Sequence, residues 1–185
     1  MFPTAKYFLV VDLEATCDDH GAVPRAESEV IEIGAVLVEG ASLRPVAEFQ
    51  TFVRPQRHPR LTAFCTELTT ITQDDVDFAP TFVEAADRVA AFAREALFCS
   101  WGNYDRNQLE QDARHHGIPS PLGPDHANVK QLFARALGLR RGIGNRGAMD
   151  IVGERATGTH HRGIDDARNI ARLLPYALGR KEHRA

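Results

Sequence analysis

The chain is expected to fold as an α/β domain in which a mixed β-sheet, an antiparallel meander extended by parallel strands, is flanked by helices. Three observations lead there. Apolar, β-branched runs cluster in the first third of the chain: Phe8 to Val11, Ile31 to Val38, and the alternating Phe49, Thr51 and Val53. The links between them are short, which favours antiparallel pairing. Later segments alternate helical periodicity with one further strand over Leu97 to Trp101, so helices pack on the faces of the sheet.

Each element has its own justification. The first strand covers residues 7–14. Residues 17–24 form a turn-rich loop with Gly21 and Pro24, and Glu39-Gly40 closes the second strand as a tight turn. Arg54-Pro55 ends the third strand, because proline cannot donate to a ladder. A short helix spans residues 61–68. A longer one spans 81–96, where Phe82, Ala85, Ala86, Val89, Phe92, Ala93 and Ala96 recur at three and four. A helix over 106–116 stops at Gly117, and residues 126–129 form a short strand before a helix over 130–137. Residues 139–147 are a mobile basic loop, 145–155 a short helix, 164–178 the final helix and 179–185 a frayed polar tail. The whole of 1–185 reads as one domain with its core at about 7–178.

Composition narrows the function. A 43% hydrophobic, 25% charged chain of 185 residues is ordinary for a globular domain. The formal charge of -3 excludes coating of nucleic acid by bulk charge alone. Cys17, Cys65 and Cys99 form no C-x-x-C pair, which fits reduced thiols in the cytoplasm rather than a disulfide framework or a zinc site. No signal peptide or membrane span is evident.

The chemistry concentrates at strand and helix ends. Asp12 and Glu14 are two residues apart on a strand and therefore share a face, where two anions leaving an apolar core repel each other and lose hydration. A divalent cation resolves that conflict, and hard oxygen ligands suit Mg²⁺ or Mn²⁺ better than Zn²⁺. A solvated strand end is the plainer alternative. Asp105 follows the fourth strand, as a functional carboxylate or as a helix N-cap. In the last helix Asp165 shares a face with Arg168 and Arg172 and forms surface ion pairs. Asp166 shares a face with Ile170 and Leu173, so its carboxylate turns inward and needs a partner. His161 precedes that helix in a glycine-containing loop. A histidine there can titrate near neutral pH, or simply sit on the surface beside His160. His115 and His116 read as helix-end residues on the dipole.

Together, Asp12-x-Glu14, Asp105 and His161-x-x-x-x-Asp166 resemble the DEDDh 3'–5' exonucleases of the DnaQ-like branch of the ribonuclease H fold. The resemblance is strongest to the subgroup of histone-mRNA 3'-end exoribonucleases and bacterial sporulation-inhibitor exonucleases. Residues 11–17, 52–55, 61–65, 68–73, 100–105 and 161–170 carry it, and it covers about residues 7–175. It implies that Asp12, Glu14, Asp105 and Asp166 hold two divalent cations, Mg²⁺ or Mn²⁺, and that His161 is the general base. It further implies that Phe64 and Tyr104 sandwich the terminal base and that the backbone around Ala15 and Thr16 lies against the terminal nucleotide. The partner it implies is the 3' end of single-stranded RNA or DNA, RNA favoured, with nucleoside 5'-monophosphates as products. Thr70, where glycine is expected, and Asn103, where an acid is common, depart from the pattern and bear on substrate fit. Arg54, Arg57, Arg60 and the arginines of 140–146 are candidate backbone contacts. The alternatives are a non-catalytic RNA-end or protein-binding module and a nuclease of very short oligonucleotides.

Overall fold

The computed structural model describes residues 2–182. Its sheet has the order β3-β2-β1-β4-β5, built from β1 (Tyr7–Ala15), β2 (Val30–Glu39), β3 (Pro45–Phe52), β4 (Leu97–Ser100) and β5 (His126–Asn128). β1, β2 and β3 pair antiparallel, while β1–β4 and β4–β5 pair parallel. The mixed sheet is therefore as expected, although β3 starts earlier than its alternating stretch, with Pro45 as its first residue on an edge strand.

The helices are α1 (Ala63–Thr69), α2 (Gln73–Asp77), α3 (Phe82–Ala93), α4 (Tyr104–His115), α5 (Val129–Ala136), α6 (Asn145–Ile151) and α7 (Gly163–Ala177). α2 is absent from the sequence expectation. Five residues show too little periodicity to register, and its start is set by a capping box between Thr72 and Asp75. α6 ends four residues short of its expected end, at a left-handed Gly153. The basic loop before it is anchored rather than free, since Trp101 Nε1 donates to the Ile143 carbonyl at 2.9 Å. The segment after α7 is also docked as far as Arg180, which donates to the Gly40 carbonyl at 2.7 Å, while residues 183–185 of the expected tail lie outside the described residues. The core likewise begins before residue 7, because Phe2 and Ala5 pack against it.

Strand alternation sorts the core into two layers. Leu9, Val11 and Leu13 face Phe82, Ala85, Val89 and Leu109 of α3 and α4. Phe8 and Val10, with Val36 and Val38, face Ile164, Ala167, Ile170 and Leu174 of α7. By the same alternation this α7-facing side continues as Asp12 and Glu14 on β1, opposite Gly34 and Glu32 on β2. One face is thus apolar along most of its length and acidic at one end. The start of α7 lies directly on that end. A Cβ on Gly34 would fall 2.1 Å from the backbone of Gly163, so only glycine permits this approach.

Candidate metal centre and catalytic cavity

A cavity of about 380 Å³ opens over the acidic end of β1. Asp12, Glu14, Ala15, Tyr104, Asp105, His161 and Asp166 all line it. The chain therefore brings to one place residues that lie more than 150 positions apart. Asp12, Glu14 and Asp166 each present an oxygen, all within 4.8 Å of one another.

Asp105 reaches the cavity from the first turn of α4, where helix geometry favours an anion. It is not the N-cap, a position held by Asn103. Its Oδ1 accepts from the Leu13 backbone at 3.0 Å, which ties α4 to β1. Asp166 occupies the first turn of α7 and is 4% exposed. It accepts from Asn145 Nδ2 at 3.0 Å and from the His161 backbone at 2.8 Å, and His160 Nδ1 lies 3.3 Å away. His161 has φ of +59°, a left-handed conformation uncommon outside glycine, and its ring stacks on His160 with centroids 3.9 Å apart.

The electrostatics show what the cavity lacks. Burial and the charges of Asp105, Glu14, Asp166 and Glu32 hold the Asp12 carboxyl well above the usual range. Burial and the charges of Glu32, Asp166 and Asp105 push Glu14 up to about 8. Asp105 is raised to about 6, mainly by burial, against the opposing pull of its hydrogen bonds. Among the described residues no donor compensates Asp12 or Glu14. A hard divalent cation fits these groups on two counts: an all-oxygen donor set, and clustered carboxylates that are costly to ionise together without one. Burial and the adjacent His160 lower the His161 pKa, so its imidazole is neutral at pH 7.

The remaining site candidates fall differently. Tyr104 is 41% exposed at the rim, with the Arg25 guanidinium 5.8 Å from its ring centroid. Phe64 is not among the lining residues, and Leu68, one helical turn on in α1, stands in the wall instead. The Thr16 side chain is buried, its Oγ1 accepting from the Glu29 backbone at 2.9 Å, while its neighbours Ala15 and Cys17 line the cavity. Arg57 points inward, 3.2 Å from Asp112, and so is engaged within the fold. Arg172 pairs with Glu154 rather than Asp165, whereas Arg168 does pair with Asp165, at 2.9 Å.

Sequence reasoning passed over two groups. Glu32 is fully buried beside the cavity and accepts from Gln50 Nε2 at 2.7 Å, Arg162 Nε at 3.1 Å and the Gly163 backbone at 3.0 Å. It clamps β2 to the loop that carries His161. Asn145 buttresses Asp166. A signal for Glu32 existed: a lone acid inside the apolar run Val30 to Val38.

Comparison with known proteins matches residues 9–174 to a family model described as Exonuclease (RNase_T). Human "ERI1 exoribonuclease 3" is 32% identical over 189 residues, covering 94% of this chain and 54% of the relative. "Probable 3'-5' exonuclease KapD" of Bacillus subtilis is 30% identical over 174 residues, covering 92% of this chain and 84% of the relative. The chain thus spans about half the length of the exoribonuclease relative and most of the bacterial one. Among solved structures, the nuclease domain of 3'hExo, described as a DEDDh family member bound to rAMP, superposes with a TM-score of 0.87 at 26% identity. That superposition covers 97% of this chain and 96% of the other.

Proposed function

The chain belongs to the exonuclease family, and from that premise we propose that it removes nucleotides from the 3' end of single-stranded nucleic acid, RNA foremost, releasing nucleoside 5'-monophosphates. The observation that carries this reading is the convergence of Asp12, Glu14, Asp105, Asp166 and His161 on one cavity. A binding module has no need for four carboxylates that repel one another in a partly buried site.

Asp12, Glu14 and Asp166 would hold one divalent cation and, with Asp105, a second, Mg²⁺ or Mn²⁺ in each case. Such a pair supplies charge stabilisation on both the attacking and leaving oxygens of an in-line phosphodiester displacement. The chain's own residues do the rest. His161, whose pKa is lowered by burial and by His160, accepts the proton of the attacking water at a ring nitrogen, with its ring stacked on that of His160. Asn145 and the His161 backbone fix the Asp166 carboxylate from two sides. Tyr104 at the rim offers a face for the terminal base. Relatives named exoribonucleases, and a structural neighbour bound to rAMP, favour RNA over DNA.

The test is a 5'-labelled single strand, RNA and DNA in parallel, incubated with Mn²⁺ and with chelator. The expected result is a ladder of shortened products that chelator and Asp166→Asn both abolish. Undiminished turnover in the folded variant overturns the assignment.

A further inference from the structure

A larger concavity, of about 650 Å³, lies outside the catalytic cavity, along the exposed edge of the sheet at β5. Its volume falls within the range of about 300–1,000 Å³ typical of ligand sites. Arg106 of α4 and Arg135 of α5 line it, with Asn103, His126 and Asn128 between them and Asp125 as its one acid.

Both guanidiniums are underused. Arg106 makes only contacts within its own helix, a long i,i+4 pair with Glu110 at 3.7 Å and a hydrogen bond to Asn107 Oδ1 at 3.2 Å, and its Nε is buried with no hydrogen-bond partner. Arg135 lies over the Phe2 ring at 5.7 Å and makes no ion pair among the described residues. His126, engaged with Ser100 Oγ at 2.9 Å, is driven down to about 4 by burial and by Arg106, so it stays neutral and adds an uncharged polar wall. In a chain of net charge -3, two arginines in one groove whose lining holds a single acid, Asp125, stand out.

The groove also adjoins the catalytic cavity. Asn103, on its wall, is bonded to Asn128 at 2.9 Å and immediately precedes Tyr104 and Asp105 of the catalytic cavity. A strand whose 3' nucleotide occupies that cavity and that leaves it on the Asn103 side runs toward the groove.

We propose that this groove holds backbone phosphates of the substrate strand on the 5' side of the nucleotide being removed, with Arg106 and Arg135 as their cationic partners. The proposal rests on the exonuclease reading, and it makes a claim about strand length that the reading does not. A trinucleotide fills the cavity without reaching both arginines, whereas a long strand crosses them. Guanidinium forks suit phosphate oxygens, and each phosphate contact adds to the salt dependence of binding.

The experiment measures binding rather than cleavage, so it stands apart from the turnover assay. Anisotropy of a labelled long RNA and a labelled trinucleotide is followed across a salt series, with Ca²⁺ supplied as the hard divalent ion. The proteins are the wild-type chain, the double variant Arg106→Gln with Arg135→Gln, and Arg114→Gln at the far end of α4 as a control for net charge. The double variant should bind the long strand about tenfold more weakly, with a log–log salt slope shallower by about 1.4, the value for two single-strand contacts. Trinucleotide affinity and the control should hold at wild-type values. Equal weakening at both lengths, an equal effect of Arg114→Gln, or no change on the long strand overturns the proposal.

Discussion

Two groups of buried carboxylates sit side by side in this fold and are treated in opposite ways. Glu29, Glu32 and Asp112 are saturated with donors. Glu29 accepts from the backbones of Gln56, Arg57 and His58 at 2.8–2.9 Å. Asp112 accepts from the Val30 backbone, Gln108 and Arg57. Glu32 takes Gln50, Arg162 and the Gly163 backbone. Asp12 and Glu14, on the same α7-facing surface as Glu32, have no such partners, so nothing opposes the burial and like charges that raise them, whereas the donors of Asp112 work against its upward shift by burial. At Glu29, Glu32 and Asp112 the donors make each carboxylate a structural tie, Asp12 and Glu14 are left for a cation, and Asp105 and Asp166 are held by donors while still lining the cavity. Among the acids of β1 and β2 the difference separates structural from functional more sharply than burial does, because Glu32 is more buried than Glu14.

The largest test of that contrast is Asp12→Asn. Activity should fall by on the order of a thousandfold, the upper end for loss of one electrostatic contact in a site. The metal-free fold should instead gain about 1 kcal/mol, because one of several repelling charges is removed. Turnover assays and urea unfolding in chelator read the two effects separately. A variant that loses both activity and stability would place Asp12 among the structural acids.

Glu32→Ala should do the reverse. It strands the Arg162 guanidinium, the Gln50 amide and the Gly163 N–H, and breaking a buried pair in this way costs about 3 kcal/mol. Urea unfolding should show the loss even in chelator. Stability at the wild-type level would mean that the clamp between β2 and the His161 loop contributes nothing to the fold.

The pH dependence of the metal-free protein follows from the same asymmetry. Glu14 moves from 4.5 to about 8 and Asp105 from 3.8 to about 6 on folding. An acid with a raised folded pKa binds its proton more tightly when folded. Its contribution to stability is therefore full below the unfolded value and is lost as pH rises through the folded one. In chelator the Tm should decline between about pH 4.5 and 8, the window set by Glu14. Saturating Mg²⁺ or Mn²⁺ should flatten the decline by taking the proton's place. A Tm that is flat or rises over that window without metal would break the comparison.

How far the sequence discloses this depends on whether a signal is local. Strand alternation placed Asp12 and Glu14 on one face, and helical spacing turned Asp166 inward, because each inference needs only the periodicity of a single element. What pairs across elements was not legible. Arg57 looked like part of a basic surface cluster, yet it turns inward to Asp112, which lies 55 positions away. Glu32 looked like one polar residue in a strand, because its partners Gln50 and Gly163 lie on another strand and on the helix that crosses them. The Thr16 hydroxyl gave no hint in the sequence that it serves the Glu29 backbone across a bulge after Glu14. α2 escaped notice because it is defined by its cap rather than by a face.

The smallest expected effect uses the two neighbours that sequence spacing already separated. Asp165 and Asp166 are adjacent in the first turn of α7, and rotation about the helix sends them to different environments. Asp165 meets Arg168 at 2.9 Å and the Thr159 backbone at 2.9 Å near the surface. Arg168 also binds Glu48, so it keeps an anionic partner when Asp165 is neutralised. An asparagine can still accept from Thr159. Asp165→Asn should therefore change stability by less than about 1 kcal/mol, as exposed ion pairs do, and leave turnover near the wild-type value. Measured beside Asp166→Asn, it sets a change of one position in the chain against a change in function of orders of magnitude. A large loss of activity in Asp165→Asn would mean that the loop before α7, held by Asp165 through Thr159, positions His161 as firmly as Glu32 does from the other side.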